Sequence, residues 1–371
     1  MKYQQCKRCL MDTIECQDIR FDSNGNCNYC SDAIKRMKTE YLPTEEGRHI
    51  LDDMISKIKM DCSEDKYDCL VGVSGGIDSS YILYLGYKYG LRMLAVHIDD
   101  GLDNPIAIDN LSKLSLTTGT KIINISPDRK EYSDILYSLL KASVANLAIA
   151  QDNLIIKSLQ DYAEELNIKY IFDGSNFAHE SILGRKNSIN SCDKKYILGI
   201  QKRFGTIPIE HLEFMSLQER YIGRHSKNRP KHIRPLNYIN YNVSNAIEEL
   251  HSFCGFQYYG GKHYESILTR FMQCYYLPKK FNVDKRKSHF SSLIVSGQIS
   301  REEAVEEMKK SLYVNNQMLH EDISFLANYM GIDLKEFERC VALPPVSDRK
   351  YKHSILNELA PFARKLRKFF E

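Results

Sequence analysis

The sequence predicts an α/β protein: a parallel sheet covered by helices, preceded by a small four-cysteine ribbon and followed by a helical region. Three observations predict it. Short β-rich runs alternate with longer helical patterns between residues 66 and 250, as in a parallel sheet with helices on both faces. Two Cys-x2-Cys pairs stand within the first 30 residues. Beyond residue 260 the pattern is mostly helical. The expected divisions are 1–42 for the ribbon, 43–258 for the sheet domain and 259–371 for the helical region.

The elements follow in order. Residues 44–60 read as a helix, with Ile50, Met54, Ile55 and Ile58 at helical spacing. Residues 68–73 (DCLVGV) form the first buried strand, and 79–89 continue as a helix. Residues 92–98 (RMLAVHI) are the second strand. The helix over 105–118 opens with Pro105 at a favourable first-turn position. Residues 121–125 (KIINI) are the third strand, 153–166 a helix, and 169–172 (KYIF) the fourth strand. Ligands of such sheets sit at the C-terminal ends of strands, so the loops after Val73, Ile98 and Phe172 are the ones to inspect.

Composition narrows the classes. A net charge of +3 makes no large electrostatic case for nucleic-acid binding. No apolar run approaches the ~18 residues of a membrane span, and the N-terminus lacks the apolar core of a secretory signal. A cytoplasmic address is expected. There thiols stay reduced, so the 11 cysteines do not suggest a disulfide scaffold.

The first strand runs into Ser74-Gly75-Gly76-Ile77-Asp78-Ser79-Ser80. Two glycines allow a tight turn and close approach of a ligand. The following helix start offers free N–H groups and the positive end of the dipole. Ser74, Ser79 and Ser80 add hydroxyls. Together they predict a polyphosphate cradle, against the plainer reading of a simple glycine turn. It is not a Walker A loop, which needs a Lys here, nor a G-x-G-x-x-G fingerprint. After the fourth strand, Asp173-Gly174-Ser175-Asn176 reads either as a second nucleotide-facing loop or as an Asx turn capping a helix.

Cys6, Cys9, Cys27 and Cys30 stand as C-x2-C-x17-C-x2-C, a spacing of structural zinc sites. Four thiolates close a tetrahedron and leave no open catalytic position. The metal would then supply much of the folding energy of so short a segment. Unligated thiols or an iron–sulfur cluster are the alternatives, and Cys16 between the pairs is a competing thiol.

Residues 258–304 hold a glycine pair, Gly260-Gly261, then Lys262 and His263. After them an apolar helical face runs through Tyr264, Ile267, Leu268, Phe271, Met272 and Tyr275, with Leu277-Pro278 as its end. Glu265 and Arg270 lie on the charged side. Lys262 and Arg270 are candidates to neutralise a phosphate or an acidic substrate group, the alternative being solvated surface. Lys279 and Lys280 read more as surface. His179 is either a proton acceptor or a packed core histidine.

The SGGIDSS loop resembles the signature of the N-type ATP pyrophosphatases, the PP-loop group of the adenine nucleotide α-hydrolase-like fold. That resemblance implies that the loop grips the β and γ phosphates of ATP and leaves the α phosphate open. It implies that Asp78 helps hold Mg²⁺, and that Asp99 with Gly101 borders the adenosine. The four cysteines, the loop, the DGSN turn and the YYGGKHYES…RF…YYLPKKF…DKR stretch together resemble the N-acetyl sugar amidotransferase family. These enzymes make acetamidino sugars of O-antigens and of pseudaminic- or legionaminic-type acids. The likeness covers most of residues 1–305, and the end of the chain is less diagnostic. Around Gln151-Asp152-Asn153 only Asp152 carries over.

The resemblance implies a reaction. An amide carbonyl is a poor electrophile because of resonance. Attack of its oxygen on the α phosphorus expels pyrophosphate and gives an O-adenylyl imidate. Ammonia then displaces AMP and leaves an acetamidine. His263, Glu265 or His179 would take a proton from the attacking nitrogen, and Asp152 and His179 would touch substrate. No glutaminase nucleophile is evident, since Met1 stands ahead of Cys6. Ammonia is therefore expected from a separate glutamine amidotransferase with a cyclase-like subunit. The sugar substrate is expected with or without a nucleotide carrier, and the enzyme as monomer or homodimer. The competing reading is a tRNA-thiolating PP-loop enzyme. It would use the basic tail around Arg364, Lys365 and Arg367, with Cys69 or Cys192 as a reactive thiol. A non-catalytic ribbon scaffold is the remaining alternative.

Overall fold

A computed structural model describes residues 3–16, 18–184, 189–223 and 229–359. The basic tail falls outside them. The strands are β1 (Cys69–Gly72), β2 (Met93–Ile98), β3 (Lys121–Ile125), β4 (Tyr170–Phe172) and β5 (Lys231–Ile233). They form one parallel sheet in the order β3-β2-β1-β4-β5. The chain moves outward from β1 to β3, then returns to the far side of β1 as β4. The strand order reverses between β1 and β4, and at such a switch point open α/β sheets form their ligand crevice.

Before and within the sheet lie α1 (Asn28–Glu40), α2 (Glu45–Asp61), α3 (Ile77–Lys88), α4 (Pro105–Thr118), α5 (Arg129–Ala142), α6 (Ile149–Glu165), α7 (Phe177–Glu180), α8 (Lys194–Phe204) and α9 (Leu217–Gly223), and directly behind its last strand lies α10 (Val243–Cys254). After it come α11 (Ile267–Phe271), a π-helical stretch Met272–Phe281, α12 (Lys285–Val295), α13 (Arg301–Met308), α14 (Asn316–Tyr329) and α15 (Leu334–Ala342).

The alternation of side chains along β1 explains the layers. Cys69 and Val71 pack with Leu51, Ile55, Ile82 and Leu250 on one face. Leu70 joins Val96, Ala163 and Ile171 on the other. A separate helical core gathers Tyr132, Leu139, Tyr196, Phe271, Tyr276, Leu326 and Phe337 from α5, α8, α11, the π stretch, α14 and α15.

Two expectations are corrected. Tyr264 precedes the helix, which begins at Ile267 behind the Ser266 cap. It does not end at Pro278 but widens into π geometry with Pro278 inside, stopping at Asn282 in the left-handed region. In addition, Cys27 caps a 13-residue helix, α1, inside the segment read as ribbon alone.

Asn153 shows how the wall beside the sheet is held. It is fully buried on α6. Its amide donates to the Ser191 and Met215 carbonyls at 2.7 and 3.0 Å, and its oxygen accepts from the Met215 N–H at 2.7 Å. Asn153→Leu strands three buried backbone groups. A loss of about 3 kcal/mol is expected in urea unfolding, and a loss below half that would contradict this bracing role.

Candidate active site at the corner between β1 and α3

The corner is built from backbone. Gly75 has φ +70°, and a Cβ there would lie 2.2 Å from the Ala107 carbonyl oxygen of α4. Any side chain would force α4 away. Gly76 caps α3 without a side-chain hydrogen bond and Tyr259 takes only the Ile77 N–H, so the next N–H groups of the 12-residue helix stay open. Ser74 and Ser79 pair across the turn with hydroxyls 3.5 Å apart, and Ser74 Oγ accepts from the Gly76 N–H at 3.3 Å. Ser80 is fully buried with its hydroxyl unpartnered, so it faces the interior rather than a ligand.

The β4 loop closes on the same corner. Gly174 lies against the peptide joining Asp78 and Ser79, where a Cβ would come within 3.2 Å. Asp173 accepts from the Ser175 N–H at 2.9 Å, which is the Asx turn. The Ser175 hydroxyl is buried without a partner. Asn176 caps α7 through His179 N–H and sets its amide 3.5 Å from Asp78 Oδ1. Tyr241 donates to the same oxygen at 2.6 Å. Among the described residues no protein donor reaches Asp78 Oδ2. A carboxylate oriented through one oxygen, with the other left free, suits a hard cation such as Mg²⁺.

The 258–266 segment completes the site. Tyr259 Oη accepts from the Ile77 N–H at 3.1 Å, and the Glu265 carbonyl accepts from Asn104 N–H at 2.7 Å. These contacts press the Glu265 carboxylate against Gly76, within 3.2 Å of where a Cβ would be, with Oε2 buried and unpartnered. His263 Nδ1 lies 3.5 Å from Glu265 Oε1, and His263 holds φ +62°, a strained value for a non-glycine residue. Lys262 Nζ lies 3.4 Å from His289 Nδ1. His179 is buried, 3.8 Å from Asp78. Burial depresses its pKa to about 4, against the pull of Asp78. Asp152, on the first turn of α6, accepts from Asn146 and Ser191 at 3.3 and 3.2 Å. Burial raises its carboxyl, while His263 and Lys285 act electrostatically in the opposite sense.

Arg270 does not reach this site. Its guanidinium makes a bidentate pair with Asp322 at 2.8 and 2.5 Å, in the helical core beside Tyr313. Its apolar-faced helix turns it inward, so its charge is already matched. Asp99 is solvent-exposed and Gly101 sits on the surface at φ +74°. The cleft beside them is lined by His97 and Ile98 of β2 and by Asp103 of the loop after it instead. This cleft, about 790 Å³, runs from Ser74 and Gly174 along α6 to Arg220, Arg229 and Arg234. Tyr241, Tyr259, His289 and the three arginines went unread. Only the aromatic pair Tyr258-Tyr259 beside the glycines gave a hint.

The four ribbon cysteines are fully buried, with their sulfurs all within 4.8 Å of one another. The Cys6–Cys30 and Cys9–Cys27 separations are 3.7 and 3.6 Å. A tetrahedral ion with metal–sulfur bonds of about 2.3 Å places its sulfurs about 3.8 Å apart. The set thus fits one ion. A multi-iron cluster, with each thiolate on a different iron, needs a wider spread. Cys16 is buried outside the set.

Residues 265–367 match the family described as LPS biosynthesis protein WbpG-like, C-terminal domain. The chain carries a WbpG-like C-terminal domain. That domain contributes Glu265, Arg270, α12 and His289, and the match agrees with the N-acetyl sugar amidotransferase-like family indicated by the sequence. No curated protein matches the chain. Three solved structures are similar. The NMN synthetase from Francisella tularensis is 16% identical over 76% of this chain and 93% of its own, with TM-score 0.34. The NH3-dependent NAD synthetase from Campylobacter jejuni is 17% identical over 56% and 85%, with TM-score 0.29. The U34-tRNA thiolase NcsA from Methanococcus maripaludis, with its [4Fe-4S] cluster, is 14% identical over 90% and 100%, with TM-score 0.34. At these scores the likenesses carry no argument about function. Among the described residues no helix is long and apolar enough to cross a membrane.

Two outcomes are expected. Arg270→Met leaves Asp322 buried and unpaired, so stability falls by about 3–5 kcal/mol in denaturant unfolding; unchanged stability would return Arg270 to the list of ligand contacts. For His179 the folded pKa lies below the unfolded value, so acid favours the unfolded chain. Stability is complete above about pH 6.5 and falls by up to about 3 kcal/mol as pH drops towards 4. His179→Gln should flatten this part of the stability–pH curve, and an unchanged slope would show that other groups set it.

Proposed function

We propose that this protein is a cytoplasmic ATP-dependent amidotransferase. It converts an N-acetyl group of a bacterial surface sugar to an acetamidino group and releases AMP and pyrophosphate. The observation that carries the proposal is the glycine corner 74–80, set against a WbpG-like domain that delivers Glu265 to it, with Lys262 and His263 just ahead. The corner would hold the β and γ phosphates, with Mg²⁺ on Asp78 offsetting their charge. The cleft along α6 has room for the nucleoside.

The steps assign themselves to positions. The acetamido oxygen attacks the α phosphorus, and pyrophosphate departs into the corner and the open start of α3. Lys262 neutralises charge developing on the phosphoryl oxygens. Ammonia adds to the imidate carbon and loses a proton, and AMP leaves. His263, 3.5 Å from Glu265 on a strained backbone, is placed to take that proton. His179, held neutral by burial, is a second acceptor beside Asp78. Ammonia would come from a separate glutamine amidotransferase with a cyclase-like subunit. Zinc is the ion proposed for the four cysteines, in an architectural role.

The thiolation reading finds little support. Cys69 is a buried strand residue whose thiol is pushed far up by burial, and Cys192 is buried beside Arg220. Neither is poised as a thiolate nucleophile.

The test incubates the protein with ATP, Mg²⁺, ammonium and a panel of acetamido sugars. Mass spectrometry should find a product in which NH replaces O, formed together with AMP. Asp78→Ala should lower the rate by roughly 10²–10³-fold. Wild-type turnover by Asp78→Ala, or ADP as the nucleotide product, would overturn the proposal.

A further inference from the structure

We infer that His289 is a positioning residue for Lys262, and that the four-cysteine ribbon holds His289 in place by clamping α12. This rests on the proposed role of Lys262 at the phosphate cleft.

One side of α12 is bonded to the ribbon. Lys287 reaches Asp12 at 2.7 Å and Glu15 at 3.0 Å, both acids being buried. Glu15 also accepts from the Asp284 N–H at 2.9 Å, and Ser291 Oγ accepts from the Leu10 N–H at 3.0 Å. Leu10 directly follows Cys9, so this bond starts at the metal-binding turn. An adjacent side of α12 is bonded to the segment around α7. Ser292 Oγ accepts from the Ile182 N–H at 2.9 Å, and Ser296 donates to the Ala178 carbonyl at 3.4 Å. His289 stands on this second side, edge-on to the His179 ring with centroids 5.4 Å apart.

His289 Nδ1 lies 3.4 Å from Lys262 Nζ. The same Nδ1 lies 3.4 Å from the His179 carbonyl, which accepts from it when the proton is on Nδ1. In the tautomer protonated on Nε2, Nδ1 instead offers its lone pair to the Lys262 ammonium, which only donates, and this is the form the positioning role uses. Burial and the neighbouring cations keep the ring neutral, which suits that task. Lys262 follows two glycines, and the backbone before it has little stiffness of its own. Among the described residues, the bond to His289 is the only hydrogen bond that anchors its head group. The line of contacts therefore runs from the cysteine cluster through Leu10 and Lys287 to α12, then through His289 to Lys262 and His179. In this account the ribbon is a brace for the cleft, not a separate module.

Two measurements test it. In hydrogen–deuterium exchange on the full chain, metal removal by a chelator, or Ser291→Ala with metal bound, should speed exchange in 285–295 and 259–264. Exchange in α2 and α4 should stay unchanged. Opening of the ribbon with 285–295 still protected would overturn the clamp, whether or not the enzyme reaction is correctly assigned. In ATP turnover, His289→Leu should lower kcat by about tenfold or more with KM for ATP little changed. His289→Gln, which keeps an acceptor, should restore the rate to within about threefold. Equal loss in both variants, or none in His289→Leu, would remove the positioning role.

Discussion

The close contact between Gly75 and α4 is the constraint on which the site depends. With the Ala107 carbonyl where a side chain would stand and φ at +70°, only glycine lets β1 turn into α3 at this angle. Gly174 applies the same condition from β4, packed on the peptide behind Asp78. The two strands are neighbours at the switch point of the sheet, so their loops converge without any long-range device. Once backbone meets backbone on both sides, the first turn of α3 is fixed. Its N–H groups, Asp78 and the serine pair then share one small volume.

Charge is arranged around that volume in layers. Asp78 is oriented by Tyr241 and Asn176, and Glu265 is pressed against Gly76 by the 258–266 segment. Two carboxylates at this corner repel an anion unless a cation accompanies it, which is the physical reason the proposed ligand is a metal–nucleotide complex. Lys262 supplies positive charge from one side and the arginines of the long cleft from the other. The WbpG-like segment is thus part of the site and not an appendage: the first residue of the match, Glu265, touches the loop.

Much of this was legible in the sequence because it is local. The strands β1 to β4, the helix after the glycine pair (read from Ser79, observed from Ile77) and the paired cysteines announce themselves through periodicity, glycine placement and spacing. The short edge strand β5 was not readable, since Lys231-His232-Ile233 holds one apolar residue and lies largely exposed, unlike the equally short but wholly apolar and buried β4. Arg270 was misjudged because a charged residue beside an apolar stripe looks like surface; its partner Asp322 lies 52 residues on, and sequence spacing gives no sign of the pairing. Tyr241 and His289 were missed for the same reason, as their roles arise from elements far apart in the chain. The family match fell on 265–367, partly in the stretch that had seemed least diagnostic.

The central claim is that the corner binds the outer phosphates of ATP. Calorimetric titration of the full chain with magnesium pyrophosphate, ATP and AMP addresses it without knowledge of the sugar. The account predicts that pyrophosphate and ATP compete for one site, that AMP binds far more weakly, and that Gly75→Ala removes pyrophosphate binding from an otherwise folded protein. Pyrophosphate affinity unchanged by Gly75→Ala, or AMP competing as well as ATP, would contradict it.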